Sequence, residues 1–184
     1  NASNSYASLP HSEELEVDQQ DTTIHLWFYP TSTTFTSGHA QTILAKHNTG
    51  SNPNNYEGYQ IAYGDRKHPT LGTPGETGIK IFSCVGACGG ATHNKIFRVA
   101  GGVPLNQWHH IAISYNMATS VHTCYFNGQP IGTWNKSIPN GTMRDLKIGG
   151  SGDAHRSLDG KIRGITFENS VLSDADVLAI YNAG

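Results

Sequence analysis

The sequence predicts an all-β protein, a sandwich of two antiparallel sheets closed by one short C-terminal helix. Three observations carry that prediction. Short runs rich in Ile, Val, Thr and aromatic residues recur along the chain, each bounded by Gly, Pro, Asn or Ser clusters. Between two of these runs, in "YFNGQPIG", Asn127-Gly128 offers the positive φ angles of a type I′ hairpin turn. Only "LSDADVLAIYN" has helical spacing. Many short strands with turns at near-regular intervals suit two packed sheets.

Taken in order, the strand candidates are Thr22–Tyr29, Gln41–Lys46, Tyr56–Tyr63, Gly78–Ser83, Lys95–Val99, His109–Tyr115, Val121–Asn127, Ile131–Trp134, Leu146–Ile148 and Lys161–Phe167. In the helix Ser173 is the N-cap, and Asp174 and Asp176 sit in the first turn against the positive helix end. Val177, Ile180 and Tyr181 form its apolar stripe.

Composition narrows the function classes. At 184 residues the chain supports one full core, so residues 1–184 are expected to form a single domain. Only 14% of residues are charged and the net charge is −2, which gives no basic surface for nucleic acid. No apolar run approaches the roughly 20 residues that span a bilayer, so no membrane insertion is expected. The start has neither a charged n-region nor an apolar h-region, so any signal peptide is expected to be gone already. Secretion is the expected localisation: the chain is rich in Gly, Asn, Ser and Thr, and carries sequons at Asn1, Asn135 and Asn140.

Three cysteines leave one over. Cys84 and Cys88 are too far apart in an extended chain to bond, but a turn at Gly86 would bring the sulfurs together, with Cys124 a small buried hydrophobe. The alternative is an interchain bridge from one loop cysteine. Zinc is not expected, since no second Cys or His pair stands at ligand spacing.

"LNQWHHIAISYNMATSVHTCYFNGQPIG" as a whole resembles the laminin-G-like, concanavalin A-like jelly-roll family, which is related to the pentraxins. Its strand, turn and Tyr-x-Asn-Gly hairpin follow that pattern. Other landmarks occur in family order: "SYASLPHSEEL" as the opening strand, then "DTTIHLWFYPTS", "TILAKH" and "YEGYQIAY". "LKIGG" and "LDGKIRGITFENSVLSDADVLAIYN" follow, with Asp176 at the acid position of the closing helix. The resemblance implies a jelly roll over nearly the whole chain and a secreted, animal-type lectin. One departure is Arg163, which stands where the family usually has an acid after Gly-x-Ile and so removes a ligand of the structural calcium site near the termini.

In such a fold the adjacent histidines of Trp108-His109-His110 are scaffolding. Consecutive strand residues point to opposite faces and cannot share one metal. Trp27 and Trp108 are expected to be buried, and one histidine tip to hydrogen-bond a neighbouring loop.

Jelly rolls of this kind also host glycoside hydrolases and polysaccharide lyases, so the fold alone does not decide function. A retaining hydrolase needs two carboxyls about 5 Å apart. No strand here offers them at alternate positions, and no Ser-His-Asp set stands out. A lyase group could be imagined from Arg98, His110 and Tyr115. Acidic and amide residues instead crowd three loops, 47–58, 64–69 and 150–159, which are expected to meet at one end of the sandwich. By similarity to the pentraxins, one calcium ion would be held by Asn55, Glu57 and Asp153, because calcium takes six to eight oxygens from carboxylates, amides and carbonyls. Asp65, Arg66 and His155 would hydrogen-bond the sugar, and an aromatic such as Tyr56 or Trp134 would stack on it. The expected function is a calcium-dependent lectin for galactose-type glycans. A homodimer is expected because crosslinking glycans needs two sites. A non-catalytic adhesion or recognition module is the alternative.

Overall fold

The computed structural model describes residues 5–33, 40–48, 57–64, 77–84, 93–152 and 157–184. The chain forms strands β1 (Ala7–Leu9), β2 (Thr22–Pro30), β3 (Gln41–Asn48), β4 (Glu57–Gly64), β5 (Gly78–Cys84), β6 (Asn94–Arg98), β7 (His109–Asn116), β8 (Val121–Phe126), β9 (Gln129–Asn135), β10 (Leu146–Ile148) and β11 (Gly160–Glu168), then helix α1 (Asp174–Ala183). A 3-10 turn, Glu13–Leu15, follows β1. Each expected strand is present within one or two residues of its sequence bounds.

The strands make a six-stranded sheet in the order β1-β10-β3-β4-β5-β6 and a five-stranded sheet in the order β11-β2-β7-β8-β9, all pairs antiparallel. Alternation decides what lies between them. Ile24, Leu26 and Phe28 of β2 and Ile111, Ile113 and Tyr115 of β7 face Leu44, Tyr59, Ile61, Tyr63, Ile79, Ile81 and Phe97 of the other sheet, all buried in one cluster. The β8–β9 hairpin turns on Asn127 and Gly128, both at positive φ (48° and 77°) as a type I′ turn requires. The Asn127 Oδ1 also accepts a hydrogen bond from the His110 amide.

Helix α1 starts at a full capping box. The Ser173 hydroxyl accepts from the Asp176 amide while the Asp176 carboxylate accepts from the Ser173 amide. It packs on the outer face of the five-stranded sheet, where Val177 joins Ala112 and Tyr125.

Among the described residues a buried ion pair, Lys46 with Glu16, lies inside the sandwich. Lys46 of β3 faces inward opposite Tyr59 and is fully buried. Its ammonium donates to Glu16 Oε1 at 2.5 Å, to the Thr142 carbonyl at 2.6 Å and to the Arg144 carbonyl at 2.9 Å, and lies 3.1 Å from His11 Nδ1. The Glu16 carboxylate also accepts from the Thr142 amide. One ammonium thus ties the turn after β1, strand β3 and the segment before β10 together.

The two tryptophans depart from expectation. Trp27 and Trp108 are half-exposed, not core. Residues Ile24, Leu26 and Phe28 take the inward positions of β2, so Trp27 and Tyr29 must point outward. Trp108 meets Tyr29 edge-on, with ring centroids 5.5 Å apart. Trp108→Ala should therefore cost about 1–2 kcal/mol, less than a core truncation. A loss above about 3 kcal/mol in chemical denaturation would return Trp108 to the core.

Candidate functional site

The adjacent histidines divide as alternation requires. His109 faces the core, stacks on Phe126 and places Nε2 2.8 Å from the Pro104 carbonyl of the preceding loop. Burial lowers its pKa. His110 faces outward beneath α1, among His25, Trp27 and Tyr181. Neither of its ring nitrogens has a hydrogen-bond partner, and burial, with His25 second, depresses its pKa to about 4. The imagined lyase group does not assemble. Tyr115 is inside the core, His110 lies under the helix, and Arg98 is on the edge strand β6.

The loop residues named from sequence fall at two ends of the six-stranded sheet. Asn48 pairs with Glu57, and Gly58 with Cys84, so the segments 49–56 and 85–92 leave from that end. Gln41 pairs with Tyr63 and Gly64 with Gly78, so segment 65–76 leaves from the other. Ile148 pairs with Leu44, Ser157 bridges to Thr42, and the Asp159 amide donates to Gln41 Oε1 at 2.9 Å. Ile148, Ser157 and Asp159, on either side of 153–156, therefore lie toward the Gln41–Gly64 end. The length of β4 separates the two ends, about 23 Å for its strand rise.

Asn55, Tyr56, Asp65, Arg66, Cys88, Asp153 and His155 lie outside the described residues. Glu57 is half-buried at the start of β4. Glu57 starts β4 at the Asn48 end, whereas Gly64 and Ser157, which border the segments holding Asp65–Arg66 and Asp153–His155, lie at the Gln41 end. Among the described residues no group of three or more His, Cys, Asp or Glu side chains could hold a metal. Cys124 is a free, buried thiol whose pKa burial pushes up, as expected of a small hydrophobe. Cys84 is fully buried at the end of β5.

A feature not recognised in the sequence lies on the outer face of the five-stranded sheet. Lys161 pairs with Tyr29 and Arg163 with Trp27 across β11 and β2. The Arg163 guanidinium lies 4.8 Å over the Trp108 ring and 5.3 Å over Trp27, and Lys161 Nζ lies 5.3 Å over Tyr29. The end of helix α1 borders this strip, with Tyr181 stacked on Trp27 at 5.7 Å and the Gly184 carbonyl accepting from Arg163 Nη2 at 3.1 Å. The strip ends beside the loops of the Gln41–Gly64 end, because Gly160 pairs with Pro30 and the Thr31 amide donates to the Asp159 carbonyl at 2.9 Å. A signal was present: Thr23 and His25 share the parity of Trp27 and Tyr29, and polar residues mark that parity as the outward one.

Comparison with known proteins agrees with this architecture. No curated protein matches the sequence. A heptameric SAP-like pentraxin from Limulus polyphemus superimposes with TM-score 0.63 at 16% identity, over 96% of this chain and 81% of its own. Domain 4 of AbnA, an extracellular arabinanase from Geobacillus stearothermophilus solved with arabinotriose, gives 0.57 at 18% identity over 95% and 71%. The binding domain of botulinum neurotoxin DC, solved with SialylT, gives 0.59 at 15% identity. It covers 97% of this chain, but the chain spans only 39% of that binding domain. At these identities the likeness is one of fold. The family model of the concanavalin A-like lectin/glucanases superfamily, laminin-G type, matches residues 1–178, and the chain belongs to that family.

Proposed function

We propose that this chain is a carbohydrate-binding domain whose ligand lies across the loops of the Gln41–Gly64 end and the aromatic strip beside them. The observation that carries this is the row of half-buried rings, Trp27, Tyr29 and Trp108, on the outer sheet face next to that end, with Arg163 and Lys161 beside them. A pyranose ring presents apolar C–H faces that stack on aromatic rings and hydroxyls that need fixed polar partners. Asp65, Arg66 and His155 are the proposed partners. The arabinotriose and SialylT bound to two fold relatives support the reading.

The finer assignments are part of the same proposal. The ligand is a galactose-type glycan, and a calcium ion is held at the Gln41–Gly64 end with Asp153 as its charged ligand. Glu57, which starts β4 at the opposite end, then stands outside that ion's shell. The domain is secreted, which exposed Asn135 and Asn140 in their sequons favour. Cys84 pairs with Cys88, and the dimer is non-covalent, since buried Cys124 cannot reach a second chain. Non-reducing electrophoresis at monomer mass with light scattering at twice that mass fits this; a covalent dimer or a monomer in solution does not.

A glycan array run with and without chelator tests the core of the reading. Galactose-terminated glycans should bind, and chelation should weaken binding. Asp153→Asn should reproduce the effect of the chelator while Glu57→Gln leaves binding intact. Arg66→Ala should weaken sugar binding by about 1.5–3 kcal/mol without changing calcium affinity. Chelator-insensitive binding removes the ion and leaves a hydrogen-bonding pocket. An array with no bound glycan removes the function.

A further inference from the structure

The aromatic strip carries two cations for which no carboxylate side chain among the described residues supplies a partner. Lys161 and Arg163 are both exposed and occupy alternate outward positions of β11, about 7 Å apart along the strand. Among the described residues the ion pairs join His11 and Lys46 to Glu16 and His25 to Glu168, and neither Lys161 nor Arg163 has a carboxylate side chain within reach.

Arg163 is also held in place. Its guanidinium rests over Trp108 and Trp27, and Nη2 donates to the Gly184 carbonyl at 3.1 Å. A planar fork pinned against rings loses little side-chain freedom when an anion arrives, and its geometry matches the two oxygens of a carboxylate. The chain as a whole is slightly acidic, at −2, so general adsorption of polyanions is not favoured and any attraction is local to the strip.

We propose that the strip binds the carboxylates of a uronate-bearing glycan. Arg163 takes one sugar carboxylate in bidentate fashion, Lys161 takes a second anionic group farther along the glycan, and Tyr29 and Trp108 flank the apolar face of the sugar between. This rests on the glycan-binding reading above and narrows its ligand. Galacturonate keeps the ring stereochemistry of galactose, so both assignments can hold for one ligand.

Calorimetric titration with three probes of matched length tests this: an oligogalacturonate, a heparin-derived sulfated oligosaccharide and a neutral galacto-oligosaccharide. The oligogalacturonate should bind most tightly and weaken as salt is added. Arg163→Ala should weaken it by about tenfold or more. Arg163→Lys should restore only part of the loss, because charge returns without the fork. Lys161→Ala should weaken binding a few-fold and reduce its salt dependence. Thermal unfolding midpoints identify any variant that loses binding by misfolding, and Arg163→Lys and Lys161→Ala are the conservative pair if Arg163→Ala is unstable. Equal affinity for the sulfated probe, or oligogalacturonate binding unchanged in both conservative variants, overturns the proposal. Preference for the neutral probe overturns it while leaving the glycan-binding reading standing. Binding of none of the three overturns both.

Discussion

Lys46→Met should remove about 3–5 kcal/mol of folding stability, a large share of what holds a domain of this size together. The ammonium it deletes is fully buried and makes hydrogen bonds to one carboxylate and two backbone carbonyls. Without it the Glu16 carboxylate, 5% exposed, keeps only His11 and the Thr142 amide beside it, and the Thr142 and Arg144 carbonyls lose a donor. The cost comes mainly from the groups left behind, because the intact pair itself repays little more than its own desolvation. The double variant Lys46→Met with Glu16→Gln should thus recover part of the loss. Chemical denaturation of the two single variants and the double measures the coupling. A single-variant loss below about 1 kcal/mol would mean that water reaches the cluster and screens the charge.

Acid should destabilise the domain well before its carboxylates titrate in bulk. Burial lowers the pKa of His110 to about 4 and that of His122 to about 4. The unfolded chain takes up these protons near the ordinary histidine value of about 6.5. A group with a depressed folded pKa contributes nothing adverse above its unfolded value. Below it the unfolded state is favoured, and the penalty grows until the pH passes the folded value. Stability is therefore full above about pH 6.5 and falls between about 6.5 and about 4, by about 3 kcal/mol for each histidine. Denaturation followed from about pH 7.5 to about pH 4.5 should show this fall. His110→Phe should remove about one proton from the slope, and it deletes no hydrogen bond since neither ring nitrogen makes one. A flat profile, or a slope unaltered in His110→Phe, would show that the imidazoles ionise freely in the folded state.

What was legible in the sequence is local. Period-two alternation located the strands, because a pleated strand shows each face every second residue. Asn127-Gly128 specified its hairpin, because those residues enter positive φ at low cost. Ser173 and Asp176 specified the helix start, since the capping groups lie three residues apart. His109 and His110 were separable for the same reason as the strands. The two tryptophans were misplaced because β2 is apolar on both parities from Leu26 to Tyr29, and apolar content alone does not tell the core side from a half-exposed one.

The candidate site was less legible, because it depends on which strand ends share an end of the sandwich. Asn55, Asp65 and Asp153 lie in, and Glu57 borders, segments of similar composition, and nothing local distinguishes the strand ends that those segments join. Pairing of Gln41 with Tyr63, and Ser157 with Thr42, decides it. Lys46 belongs to the same class: its partners lie 30 and 96 or more positions away, so a lysine in a strand reads as solvent-facing until the chain folds back on it. Strand, turn and cap are set by residues within a few positions of one another, and the sequence by itself determined them. Which loops share an end, which rings stand beside Lys161 and Arg163, and what meets the buried ammonium are set by contacts between distant positions, and only the tertiary structure decided those.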